Sequence, residues 1–473
     1  MDKKQWIVVG LLAVANVFVL SLACVLIVIP SLGSGPGVAV PVAGVEPTAT
    51  LIPTQTPIPT WTPRPTFTPQ SQPTLVARAV TGDNVQVLDQ VEREVRVLRG
   101  LEPLDDVPCL QVTADQLQYS YLDLFIRDEW REAADVYVLY LSALDFMPAS
   151  TDLLGLWREN FAQGVAGFYV PDSDEIYLVT NAYDVGSWER SIYAHEFTHA
   201  LQDQHFDLQA LGLDVTGEPG HADTILSLQG LIEGDATLLQ EQYIETYFTE
   251  ADALDALNTY LSFDFDYFGG SYIPEVLGEL AMFPYEDGLE FVSYLYDQGS
   301  WAAVDAAYAN PPASTEHILH PERYLAGDQP RVVSIPVLGD TLGPGWRVPY
   351  EETMGEFLLR VYLANRLETG TSISAAAGWG GDQAVLYYND ASGETLLVVR
   401  WVWDTPDDQG EFQQAYVRYA EERFAGAGEP TGVDTTCWSG MDTLCVIWGA
   451  EQSTLVIGSN GEDVARVLPS LAD

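Results

Sequence analysis

Two histidines and a glutamate in the segment HEFTH, residues 195–199, have the types and the spacing that metal chemistry requires. On a helix of about 100° per residue, His195 and His199 project about 40° apart and one turn apart, so both imidazoles can reach one ion. Glu196 stands beside them, where a carboxylate can take the proton of a metal-activated water. The segment matches the HExxH pattern of catalytic zinc sites. It therefore predicts that His195 and His199 bind Zn²⁺ and that Glu196 is the general base.

The residues around this motif predict a largely buried helix. The residues on both sides and within it, Ile192, Ala194, Phe197, Ala200 and Leu201, are apolar. A His-Glu-His set without partners is costly to bury, which favours a metal ion among these side chains. The alternative is a pair of core histidines that are satisfied without a metal.

A third histidine follows the motif at a suggestive distance. His205 stands six residues after His199, so HEFTHALQDQH has the spacing of the metzincin signature HExxHxxGxxH. Metzincins need a glycine where this chain has Gln202, because their helix breaks sharply at that point. If the helix instead continues, His205 points about 120° away from His199. We therefore expect His205 to be a helix-end or surface histidine and not a ligand.

The predicted third ligand is Glu233, which lies 34 residues beyond His199 in LQGLIEGDATLLQ. A carboxylate among so many apolar residues needs a strong partner. The small residues around it predict that this second helix approaches the motif helix closely. Two histidines and a glutamate leave the fourth position of the ion open for water, which is the catalytic form of a zinc site. Asp235 and Glu241 are the alternative ligands.

Four residues carry a resemblance to a known family. His195, Glu196, His199 and Glu233 resemble the gluzincin branch of zinc metallopeptidases, the thermolysin-like clan. The segments HEFTHALQDQ, EGDAT, STEHILHPERY and GWGGD also resemble a group of membrane-anchored prokaryotic surface proteins with the same HExxH core. The resemblance implies hydrolysis of peptides or proteins. The chain lacks the NExxxD pattern that thermolysin has at its glutamate ligand, because Asp235 follows Glu233 by two residues and not by four.

The last two histidines lie in PPASTEHILHPERY, residues 311–324. In thermolysin-like enzymes a histidine donates to the oxyanion that forms when water attacks the carbonyl. The resemblance implies this catalytic role for His320 or for His317, with Tyr324 as an alternative donor. The other interpretation is a short helix that ends before Pro321, with both histidines structural.

The start of the chain predicts a membrane anchor. Residues 6–29 carry no charge, and a helix needs about 20 apolar residues to cross a bilayer. Lys3 and Lys4 favour a cytoplasmic N-terminus. We expect a cytoplasmic segment at 1–4, a single transmembrane signal anchor at 5–30, and a folded part that lies outside the cell membrane. A cleaved secretory signal peptide is the alternative.

The rest of the chain predicts an α+β fold in two domains behind a stalk. Residues 31–77 are rich in Pro and Thr and predict an extended spacer. Residues 78–330 predict a mainly helical zincin-like domain with a small hairpin, VAGFYVPDSDEIYLVTN, whose edge could hold an extended peptide. Residues 331–473 predict a smaller α+β domain, in which Cys437 and Cys445 are expected to form a disulfide.

The charge balance excludes several partners. The chain has 69 acidic residues against 20 basic ones and a net charge of −49, so its surface repels nucleic acid and anionic lipid. Membrane contact is expected only through the N-terminal helix. The sequence thus predicts a membrane-anchored, extracytoplasmic zinc peptidase that acts on peptide or protein substrates. A catalytically silent zincin-like binding or adhesion module and a non-peptide hydrolase are the alternatives.

Overall fold

The computed structural model describes residues 77–117, 128–156, 165–180, 184–213, 221–262, 273–432 and 434–472. The helices of these residues are α1 (Asp83–Arg99), α2 (Ala114–Gln116), α3 (Asp128–Ala143), α4 (Ser187–Phe206), α5 (Ala222–Tyr247), α6 (Glu250–Ser262), α7 (Glu275–Gly299), α8 (Trp301–Ala309), α9 (Thr315–Leu319), α10 (Pro321–Ala326), α11 (Gly339–Leu342), α12 (Gly355–Ala364), α13 (Thr369–Ala376), α14 (Pro406–Phe424) and α15 (Gly461–Leu471). The strands are β1 (Arg78–Ala79), β2 (Cys109–Val112), β3 (Gly167–Val170), β4 (Glu175–Val179), β5 (Trp346–Glu352), β6 (Trp379–Asn389), β7 (Thr395–Trp403), β8 (Glu429–Gly432), β9 (Thr435–Ser439), β10 (Thr443–Trp448) and β11 (Gln452–Gly458).

The structure is α+β, but the predicted transmembrane helix is not part of it. No helix of the described residues is long and apolar enough to cross a bilayer. The long helices α4, α5 and α7 each carry several carboxylates, which a bilayer interior would not accept. The predicted anchor at 5–30 and nearly all of the stalk at 31–77 lie outside the described residues. For the described residues the fold class is therefore corrected to α+β without a membrane-spanning helix.

A small sheet lies beside the helix that carries HExxH. Its strand order is β1-β2-β4-β3, with β2 parallel to β4 and β3 antiparallel to β4. The hairpin predicted between β3 and β4 is confirmed, with Phe168 opposite Tyr177. Its turn includes Asp174 at φ 53°, a left-handed conformation that aspartate tolerates better than most residues. β3 is the edge strand and packs against α4.

A seven-stranded antiparallel sheet organises the C-terminal region, in the order β5-β6-β7-β11-β10-β9-β8. Trp379, Trp401 and Trp403 are fully buried on β6 and β7 and anchor its core. The predicted disulfide is confirmed: Cys437 and Cys445 face each other on neighbouring strands β9 and β10. One face of this sheet thus shares its apolar core with the helices of the preceding region, and a covalent link joins two of its strands.

Helices α5 and α7 touch through their glycines. A Cβ on Gly234 would lie 2.2 Å from the carbonyl oxygen of Gly288, and a Cβ on Gly288 would lie 2.3 Å from that of Gly230. The small residues around Glu233 were expected to let α5 pack closely against the motif helix α4. In the structure Gly230 and Gly234 instead admit α7. This contact packs α7 closely against the helix that carries Glu233.

We expect Gly234→Ala to lower the free energy of unfolding by about 3 kcal/mol, the upper part of the range for overpacked sites. The atom in the way belongs to the backbone of Gly288, so no rotamer change can relieve the overlap. Gly278→Ala on α7 is the matched control, because nothing lies within 4 Å of its Cβ. That change should leave stability equal or raise it by about 0.5–1 kcal/mol. Urea unfolding of both variants measures the difference, and equal stabilities would contradict the close contact.

Candidate metal centre

The HExxH segment lies in the buried interior of α4. This helix continues without a break through Gln202 to Phe206 and ends at Asp207, which has left-handed φ and ψ of 53° and 74°. His205 is exposed near its end, with Nε2 2.8 Å from the carbonyl oxygen of Glu102. The structure therefore places His205 outside the group formed by the other two histidines of the helix.

Three predicted ligands come together in one compact group. Nε2 of His195 lies 3.0 Å from Nε2 of His199 and 3.2 Å from Oε2 of Glu233, and the third separation, from His199 Nε2 to Glu233 Oε2, is 3.3 Å. Ligands about 2.0–2.1 Å from a tetrahedral zinc ion lie about 3.3–3.4 Å apart. The triangle thus has nearly the size of one tetrahedral face. Among the described residues this is the group whose atoms fit a metal ion.

The charges of this group favour a cation. Burial opposes ionisation of Glu233, but the two imidazoles outweigh it and hold the pKa of that carboxyl well below its usual range. Burial also works against a charged His199, yet the attraction of Glu233 prevails and raises the pKa of that imidazole to about 9. For His195 burial prevails and lowers the pKa. A divalent cation would take the place of the proton that Glu233 holds on the His199 imidazole, as metal binding to histidine does in general.

Glu196 connects the metal group to the edge strand. Its carboxylate accepts a hydrogen bond from the backbone N–H of Tyr169 on β3. A side chain at Gly167 would not fit here, because its Cβ would lie 2.6 Å from Ile192 and 3.2 Å from Cγ of Glu196. Burial raises the pKa of Glu196 to about 8, and a nearby metal cation would lower it again. A carboxylate with such a pKa is suited to accept and return a proton near neutrality.

Gln202 is a site residue that the sequence reasoning missed. Its Oε1 lies 2.9 Å from Nδ1 of His199, and its Nε2 donates to the carbonyl oxygen of Ile232 at 3.0 Å. Its spacing could have indicated this contact, because a residue three positions after His199 lies on the same face of the helix. In the sequence this position stands out only because metzincins have a glycine there.

Asp235, one of the alternative ligands, is committed elsewhere. Its carboxylate accepts two hydrogen bonds from Arg99, at 2.8 and 3.0 Å, and one from the hydroxyl of Tyr308 at 2.8 Å. Glu241, the other alternative, is not a member of the metal group. Nδ1 of His195 is buried without a hydrogen-bond partner in the part of the chain that the structure describes. The aspartate that would orient this histidine in a thermolysin-like site is therefore not supplied by Asp235.

His320 lies in a different ionic cluster. Its Nε2 is 3.1 Å from the buried carboxylate of Glu356 and 3.2 Å from Arg360, both on α12. Its Nδ1 is 3.8 Å from Glu322. No contact between the described residues joins His320 to the metal group. The catalytic role predicted for it is therefore not carried into the proposed mechanism.

The two alternative donors also have structural partners. Nδ1 of His317 accepts the backbone N–H of Ala313 at 3.0 Å, so its Nε2 carries the proton and donates to the carbonyl oxygen of Asp328 at 3.0 Å. The hydroxyl of Tyr324 donates to the carbonyl oxygen of Asn310 at 2.9 Å. These contacts hold α9 and α10 against the preceding loop, as the structural interpretation of the segment expected.

Comparison with known proteins reaches only the C-terminal region. A family model described as a domain of unknown function, DUF8575, matches residues 345–468. No curated protein and no solved structure matches the chain. The matched residues include the seven-stranded sheet and exclude the metal group on α4 and α5.

Proposed function

We propose that this chain is a zinc-dependent peptidase whose ion is held by His195, His199 and Glu233. The observation that carries the proposal is the triangle of Nε2, Nε2 and Oε2 atoms, 3.0–3.3 Å on each side, with Glu196 next to it on the same helix. A structural zinc site has four protein ligands, whereas this group offers three. The three-ligand form favours catalysis over a purely structural role.

The chain's own residues would divide the work as follows. Zinc, when bound, would supply Lewis-acid activation of the water and of the scissile carbonyl. Glu196 is placed to take the proton of the attacking water and to deliver it to the leaving amine. The N–H of Tyr169 fixes the Glu196 carboxylate while it does so. The uninterrupted helix α4 holds base and ligands in one rigid frame.

A peptide is the substrate that the surroundings favour. β3 is the edge of its sheet and lies against the motif helix. An extended peptide can add to such an edge through main-chain hydrogen bonds, which would bring its carbonyl groups alongside Glu196. The disulfide between Cys437 and Cys445 further favours action in an oxidising, extracytoplasmic compartment.

The test is to incubate the zinc-loaded full chain with a complex peptide mixture and to read new termini by mass spectrometry. Glu196→Gln is the blank, because it keeps the shape of the side chain and the three ligands but removes the proton acceptor. We expect new termini with the wild type and at least about a hundredfold fewer with the variant. Equal zinc content of the two proteins shows that the loss is chemical.

Two other outcomes would count against the proposal. If both proteins hold zinc and neither cuts, a silent surface-binding module becomes the better interpretation. If ester or glycoside probes are cleaved in a Glu196-dependent way while peptides are not, the chain is a non-peptide hydrolase.

A further inference from the structure

Gln202 makes two hydrogen bonds that leave only one arrangement of its amide. Ile232 offers a carbonyl oxygen, which can only accept, so the NH₂ group of Gln202 must face it. The amide oxygen then faces Nδ1 of His199 at 2.9 Å. An oxygen can only accept there, so Nδ1 of His199 must carry a proton.

This arrangement fixes the other nitrogen of the same ring. With Nδ1 protonated, Nε2 of His199 is the atom free to bind a metal, and Nε2 is the atom that faces His195 and Glu233. Ile232 directly precedes Glu233 on α5. The amide of Gln202 thus ties the His199 ring on α4 to the backbone beside the Glu233 ligand on α5.

We infer that Gln202 is a positioning residue that selects the metal-binding tautomer of His199 and sets its distance to Glu233. The inference rests on the proposed zinc site. Gln202 is completely buried, so solvent cannot replace its amide if the side chain is changed. Hydrogen bonds of this kind typically contribute about 10–100-fold to metal affinity.

A second glutamine provides a matched control. Gln240 on α5 donates through its Nε2 to the carbonyl oxygen of Ser191 on α4 at 2.9 Å, and it is 2% exposed. It joins the same two helices by the same kind of bond and does not contact His195 or His199 in the described structure. Only Gln202 should therefore combine a structural role with a role at the metal.

The experiment measures two quantities on the full chain: zinc affinity, by competition with a chromophoric chelator, and stability of the zinc-free protein, by urea unfolding. Gln202→Met keeps the length of the side chain and removes both polar groups. We expect it to weaken zinc binding by about 10–100-fold. Both variants should lower the free energy of unfolding by a similar amount. Gln240→Met should leave zinc affinity unchanged.

The conservative variant Gln202→Glu separates positioning from packing. Its carboxylate still accepts from Nδ1 of His199, so zinc affinity should recover toward that of the wild type. Its second oxygen faces the carbonyl of Ile232 without a proton to donate, so stability should remain low. A purely structural role would lower both quantities together in both variants.

The outcomes distinguish this inference from the proposed function. If wild type binds zinc and Gln202→Met binds it equally well, Gln202 is not a positioning residue, and the zinc site stands. If wild type binds no zinc, the proposed site fails and the inference with it. Should Gln202→Met not fold, NMR of the zinc-loaded wild type with isotope-labelled histidine decides: binding through Nε2 of His199 is expected, and binding through Nδ1 overturns the inference.

Discussion

Replacing Glu233 with alanine is expected to weaken zinc binding by more than about a hundredfold. Zinc sites in small domains contribute about 10–16 kcal/mol in total, so each of a few ligands accounts for roughly 3–4 kcal/mol. Glu233 is also the only anionic ligand of the group and faces both imidazoles, at 3.2 and 3.3 Å. Its loss removes the charge that balances the cation as well as one bond. Zinc content after dialysis and chelator competition both measure the effect.

His205→Ala is the matched control for this change. His205 has the spacing of a third ligand in the metzincin pattern, but its ring contacts the carbonyl oxygen of Glu102 instead. Its removal should leave zinc affinity within about twofold of wild type, since it touches none of the ligands. The reverse result, zinc lost without His205 and kept without Glu233, would overturn the assignment of the third ligand.

The ligand residues were predictable because each carries a local signal. His195 and His199 have a helical spacing that depends on nothing outside five consecutive residues. Glu233 is a charge in an apolar helix, and such a charge needs a partner wherever the fold places it. The structure brings all three within the size of one coordination sphere. That a metal ion occupies the group is still a prediction.

The supporting residues were not predictable in the same way. The role of Gln202 depends on the carbonyl oxygen of Ile232, a backbone atom on another helix 30 residues away. The role of His320 depends on Glu356 and Arg360, which come from the C-terminal region. A single sequence shows that a histidine or glutamine is present, but its partner is set by tertiary packing.

The fold was predictable where a local sequence pattern indicates one structure. It was misread where a segment can pack against more than one neighbour. The β3–β4 hairpin follows from two β-prone runs around turn residues. The disulfide between Cys437 and Cys445 follows from the short separation of the two cysteines along the chain. The glycines of α5 could have allowed close packing against either neighbouring helix, α4 or α7. Their carbonyl contacts show that they serve α7. The predicted anchor at 5–30 has no counterpart among the helices that the structure describes.

Replacing Asp235 with alanine is expected to lower the free energy of unfolding by about 3 kcal/mol, because it would remove the buried counter-ion of a buried guanidinium and leave only the partly exposed Asp305 beside it. The side chains of Arg99 and Asp235 are both fully inaccessible to solvent and are joined by two hydrogen bonds. The hydroxyl of Tyr308 loses its acceptor in the same change. Because Asp235 is not in the metal group, zinc affinity at temperatures well below unfolding should change little.

The second acidic partner of Arg99 provides a control. It has the same charge as Asp235 but is less buried, so the two variants show how burial changes the loss of stability. Asp305 lies 2.7 Å from the same guanidinium, but its side chain is 36% exposed. Asp305→Ala should cost less than Asp235→Ala, because the Asp305 side chain is partly exposed and the buried pair of Arg99 with Asp235 remains. Adding Arg99→Met to Asp235→Ala should recover part of the loss, since it removes the unpaired charge. Urea unfolding of the four proteins tests this order. If Asp235→Ala lowers zinc affinity but not the free energy of unfolding, Asp235 is a metal ligand. That result would contradict the assignment of Glu233 as the third ligand.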